Sequence, residues 1–183
     1  MHWIIRIFGA IIVDNREKWL NEILNDAISE TSNEIAVLII CKSIRITEEL
    51  FKLLKEKKEE KSIKNILLYN KNEDEEENNK DQRSKKDNEE SGKRVRIVTS
   101  VESDLFSGTI IISTNLAGRG IDIKLNQNII DNGGLYVIVS FLIENKRIED
   151  QNFGRAGRNG QPGTGRLILN KTEEGFEKDD IRE

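Results

Sequence analysis

Thr109-Ile110-Ile111-Ile112-Ser113-Thr114-Asn115-Leu116-Ala117-Gly118-Arg119-Gly120-Ile121-Asp122-Ile123 is the stretch that decides the fold. Its first half is a continuous apolar run of strand length, the pattern of a strand buried on both faces. Its second half breaks into a turn with an arginine between two glycines. A second glycine-hinged stretch, Gln151-Asn152-Phe153-Gly154-Arg155-Ala156-Gly157-Arg158-Asn159-Gly160, follows later. Glycine lets a backbone approach a phosphate closely, and Arg119, Arg155 and Arg158 each carry a planar fork that matches phosphate oxygens. Together these loops read as parts of a nucleotide-handling site.

Outward from this stretch, apolar segments alternate with amphipathic ones. Trp19, Leu20, Ile23, Leu24, Ala27 and Ile28 recur at helical spacing behind the capping candidates Asp14 and Asn15, which predicts a helix over 15–29. Ile35 to Cys41 reads as a strand. Thr47 reads as the N-cap of a helix carrying Leu50, Phe51, Leu53 and Leu54. Ile63 to Tyr69 fits a strand or a continuation of that helix, and periodicity does not decide. Val95 to Thr99, Thr109 to Thr114, Leu135 to Ser140 and Gly165 to Leu169 complete the strands, with Arg166 read as an exposed side chain. Strands alternating with helical segments predict an α/β fold, a parallel sheet with helices on both faces.

Two segments stand apart. Lys71 to Arg94 contains no apolar residue; it cannot bury enough surface to offset its ordering entropy, so a disordered charged insertion is expected at 71–94. The apolar run from His2 to Val13 is interrupted by Arg6 and is far shorter than the roughly 20 residues of a membrane span. Residues 1–14 are expected to be a linker or strand arriving from a preceding domain, 15–175 the domain itself, and 176–183 a polar tail.

Composition narrows the function. The chain has 183 residues, 36% hydrophobic and 34% charged, with a net charge of −4, the size of one domain. A nucleic-acid binder with a broad basic surface would be strongly basic instead, so no nucleic acid is expected as a partner. The single Cys41 lies in an apolar strand and reads as a small hydrophobe. No cluster suggests a metal centre. A phosphate-cradling loop of the form G-x-x-x-x-G-K-[ST] is also missing from the sequence: Cys41-Lys42-Ser43 has no glycine before it, and Gly92-Lys93-Arg94 lacks the hydroxyl.

Thr114 to Ile123 resembles the fifth motif of the superfamily 2 ATPases in the version carried by the SecA preprotein translocases, and Gln151 to Gly160 resembles that family's sixth. Gly133-Gly134-Leu135-Tyr136-Val137-Ile138 and Lys146-Arg147-Ile148-Glu149-Asp150-Gln151 stand between them in the family's order. The resemblance covers the second, RecA-like motor domain. It implies a domain that supplies finger arginines for ATP hydrolysis driving protein translocation. Arg155, Arg158 and Gln151 are then the catalytic candidates, and Gly118, Arg119, Gly120, Asp122, Gly154 and Gly157 the nucleotide-binding ones, with Asp122 positioning the nucleotide and the arginines. ATP with Mg2+ would be held mainly by the first nucleotide-binding domain, which the resemblance makes a partner along with a preprotein and a membrane translocation channel. The implied location is the cytoplasm or an organelle stroma, peripheral to a membrane. The half of a superfamily 2 RNA helicase and a non-catalytic partner-binding module are the alternatives. One departure is plain: Ser140-Phe141-Leu142-Ile143-Glu144-Asn145 stands where the family has Thr-Glu-Arg-His-Glu-Ser, so three apolar residues replace an acid, an arginine and a histidine.

Overall fold

A computed structural model describes residues 5–57, 62–69, 88–90, 93–98, 105–116, 123–157 and 160–172. In chain order the elements are β1 (Ile5–Ile7), β2 (Ile11–Val13), α1 (Arg16–Ser32), β3 (Ala36–Cys41), α2 (Ile44–Glu56), β4 (Asn65–Tyr69), β5 (Asn88–Glu90), β6 (Lys93–Val98), β7 (Thr109–Thr114), α3 (Gln127–Asp131), β8 (Leu135–Val139), α4 (Lys146–Phe153) and β9 (Gly163–Asn170). The strands form one sheet in the order β1-β9-β8-β3-β7-β4-β6-β5, with β2 also on β9. Every pairing is parallel except the short β5–β6 hairpin. From one edge, the core strands β6, β4, β7, β3, β8 and β9 run 3-2-4-1-5-6 in chain order, a RecA-like arrangement.

The central strands β3, β7 and β8 are buried at every position because both faces are covered. Alternate residues of β3 divide between two cores: Val37, Ile39 and Cys41 pack with Trp19, Ile23 and Ala27 of α1 and Leu50 and Leu54 of α2. Ala36, Leu38 and Ile40 pack on the opposite face with Ile129 of α3 and Phe153 of α4. The period-2 alternation of strand side chains thus sends one continuous hydrophobic run into two layers.

At the sheet edge, β1 and β2 act as one strand with a bulge. Ile7 pairs with Gly165 and Ile11 with Ile168, so the edge strand carries one residue more than β9 between those points. An extra residue reverses side-chain parity. Phe8, Ile11 and Val13 accordingly all pack on the same core, which a regular strand would forbid. The segment expected to be a linker or strand is thus part of the sheet.

Capping follows local chemistry. Asn15 caps α1, its side chain accepting from the Glu17 and Lys18 amides. The expected cap at Thr47 is instead taken by Ser43. Thr47 lies inside α2, fully buried, its hydroxyl donating to the Ile44 carbonyl at 2.6 Å, the local back-bond that threonine makes within helices. Ile63–Tyr69 resolves as a strand, β4, from Asn65. The far end of the polar 71–94 stretch is pleated: β5 pairs antiparallel with β6, which starts at Lys93. Residues 71–87, 91 and 92 lie outside the described residues, as does the 176–183 tail.

Candidate functional site

The parallel topology gathers three strand ends. From β3 the chain crosses through α2 to β4 on one side, and from β7 through α3 to β8 on the other. In open α/β sheets the crevice at the carboxyl ends of such diverging strands is where ligands bind. Backbone bonds fix the three exits together: the Asn115 N–H donates to the Cys41 carbonyl at 3.0 Å and the Ser140 N–H to the Ile40 carbonyl at 3.0 Å. The Ser140 hydroxyl reaches the same Ile40 carbonyl at 3.1 Å. Burial pushes the Cys41 thiol up to about 12, with a hydrogen bond to Ser140 offsetting it in part. A thiol so held is not a nucleophile at neutral pH. It serves as core.

Of the first loop, Thr114 and Asn115 are described and the candidates Gly118, Arg119, Gly120 and Asp122 lie outside the described residues. Asn115 Oδ1 is buried with no hydrogen-bond partner among the described residues. Leu116 beside it is 59% exposed. The chain returns at Ile123, which packs in the α3–α4 core, and the Leu105 N–H donates to the Lys124 carbonyl at 2.8 Å.

The second loop is built by α4. Asn145 caps it, Oδ1 accepting from the Ile148 amide at 3.1 Å. Exposed Lys146 bridges Glu149 and Asp150, whose hydrogen bond and charge raise its pKa. The helix ends at Phe153 with Gly154 as C-cap, the Gly154 N–H donating to the Asp150 carbonyl at 2.8 Å. Phe153 then lies against β9 at Gly165, where a Cβ would stand 2.5 Å from Phe153 Cδ1. This wedge fixes the start of the turn that carries Arg155. Arg155 is 4% exposed, and Ala156 beside it is also buried. Gln151 and Gly154 are half-buried and Gly157 is buried. Arg155 stands just past the end of α4, and Arg158 lies outside the described residues. In the divergent 140–145 segment, Phe141 and Ile143 pack against the α3–α4 core, which accounts for their apolar character.

Sequence reasoning missed two groups. Asn152 is fully buried, and neither Oδ1 nor Nδ2 has a hydrogen-bond partner among the described residues. An unsatisfied buried amide costs about 1–3 kcal/mol, and nothing in an isolated polar residue announces it. Arg166 is not the exposed strand residue expected. Its guanidinium pairs with Asp26 of α1, and Tyr136 donates to the other oxygen of that carboxylate at 2.7 Å. Phe8 lies 5.1 Å from the guanidinium, ring centroid to Cζ. Burial, reinforced by the bond to Asp26, raises the Tyr136 pKa. This polar group pins α1 to β8 and β9.

Comparison with known proteins fits this architecture. Residues 126–177 match the model of the SecA P-loop domain, a span that contains α4 and the Arg155 turn. A protein translocase subunit SecA 2 of Nitrosospira multiformis is 32% identical over 171 residues, 91% of this chain and 21% of that protein. Over most of its length the chain is similar to this SecA-family protein. SecA subunits of Campylobacter concisus and Helicobacter hepaticus are each 50% identical over 62 residues, 34% of this chain and 7% of theirs. The chain thus spans about a fifth of the length of its SecA 2 relative. Among the described residues, no helix is long and apolar enough to cross a membrane.

Proposed function

We propose that this is the second nucleotide-binding domain of a SecA-type translocation ATPase, closing on ATP held by the first domain and presenting Arg155 and Arg158 to its γ-phosphate. The observation that carries the reading is the Arg155 turn, which lies inside the SecA-matched span and is wedged on β9 by Phe153 and Gly165. A guanidinium carried by a turn anchored in this way can be brought to one place where negative charge develops, and positive charge at that place is what accelerates phosphoryl transfer. Gln151, one turn back on α4, would orient the same loop. Asn115 would sense the nucleotide from the end of β7, and the loop bearing Gly118, Arg119, Gly120 and Asp122 would approach it with its backbone.

Magnesium, when bound, would neutralise charge between the phosphates. As the family resemblance implies, the ion would be held mainly by the first domain. The work of the closing cleft would be spent on moving a preprotein through a membrane channel, from the cytoplasmic or stromal side.

In the two-domain protein, Arg155→Ala should lower kcat by roughly 10³-fold or more while KM for ATP changes little, since finger arginines act in the transition state. Arg155→Lys should rescue poorly, because an ammonium lacks the planar fork. Near-normal turnover in both variants would remove the arginine from the mechanism. Steady-state ATP hydrolysis with a coupled phosphate assay decides between them.

A further inference from the structure

Asn152 is the one described side chain that is fully buried with every polar atom lacking a partner among the described residues. Its position is what makes this informative. Its carbonyl accepts from the Arg155 N–H at 3.5 Å, at the limit of a hydrogen bond, so the residue is already the hinge of the Arg155 turn through its backbone. On one side Phe153 is wedged on Gly165. On the other the chain leaves α4 through its C-cap Gly154 and runs on to Gly157. A wedged support and a glycine-containing turn thus meet at an amide with no partner among the described residues. Buried amides are nearly always paired, and the exceptions call for an explanation.

We propose that Asn152 is a positioning residue for Arg155: its amide is unsatisfied in this arrangement and pairs with the backbone of the Gly154–Gly157 turn when that turn shifts to present the guanidinium. This rests on the finger role proposed above and deepens it. The unsatisfied amide raises the energy of the arrangement seen here and so biases the turn toward its presenting state, a two-state element in the sense required for a conformational switch. A buried internal water on the same amide is the competing account, and it predicts no link to turnover.

The test is Asn152→Leu in the two-domain protein, with Asn152→Ala beside it. Leucine keeps the volume and removes the orphaned atoms, so the melting temperature without nucleotide should rise. The further rise on adding a non-hydrolysable ATP analogue should shrink, and kcat should fall at least tenfold with KM for ATP within threefold. Alanine leaves a cavity and should lower the melting temperature, yet lower kcat equally, which covers the case in which leucine does not fold. Wild-type kcat in either folded variant would overturn the proposal and leave the amide a structural or water-bound group. The wild-type protein's response to Arg155→Ala is read separately. If that substitution is harmless, the finger reading has failed; if it is crippling while both Asn152 variants are normal, only the positioning role has.

Discussion

On α1, Glu30 stands one turn from Asp26, and partial burial, then the Asp26 charge, raises its pKa despite Asn33 and Arg166. A raised carboxyl favours the protonated form in the folded state, so its contribution to stability is fullest below the unfolded value near 4.5 and is lost as pH rises through the folded one. At neutral pH the ionised side chain is therefore mildly destabilising. Glu30→Gln should slightly raise the melting temperature at pH 7 and remove the rise in stability expected of the wild type on acidification toward pH 5. Thermal unfolding from pH 5 to 8 measures both, and an unchanged pH profile would show that Glu30 is not coupled to Asp26. Such residue-scale facts were only partly legible. Burial of Cys41 followed from its apolar neighbours. The partners of Arg166 did not, because strand parity tells which face a side chain takes but not that Asp26, 140 residues earlier, waits there.

Elements were read best where burial on both faces wrote itself as an unbroken apolar run. β3, β7 and β8 needed only their length and their β-branched content, and the amphipathic stripe of α1 was equally plain. The failures share one cause, which is that backbone hydrogen bonds leave no trace in side-chain composition. β5 is made of Asn88, Glu89 and Glu90, and it is a strand because β6 offers it an edge. The bulge between β1 and β2 is likewise visible only through its register. The α4–β9 contact allows a sharper test. Gly165→Ala puts a methyl 2.5 Å from the Phe153 ring and 3.2 Å from the Val137 carbonyl, and overpacking of this kind costs about 1–3 kcal/mol. The urea midpoint should fall with an unchanged m-value, and Phe153→Leu in the same chain should recover part of the loss. Additive losses would mean that the wedge is not where the strain falls.

For the whole molecule, the resemblance to SecA was legible because its motifs are dense in glycine and arginine, whose chemistry is narrow. The site was legible only by halves, since the sequence names Arg155 and Arg158 but cannot supply the phosphates they would meet. This chain alone should therefore hydrolyse ATP at background rate. Turnover clearly above buffer, abolished by Arg155→Ala, would show a complete site within these residues. The same sheet sets how the molecule bears load. Because β1 and β2 run parallel to β9, the chain enters the edge of the sheet at Ile5, beside Gly163, and leaves past Asn170 at the opposite end of that strand. A pull applied between the two points slides the strands along one another and stresses all their hydrogen bonds together, whereas adjacent ends would peel them apart one by one. The bulge divides that ladder into two blocks of three residue pairs, Ile5–Ile7 and Ile11–Val13. Tension on this domain should thus meet stiff resistance first and then give way in two steps, as each block shears in turn.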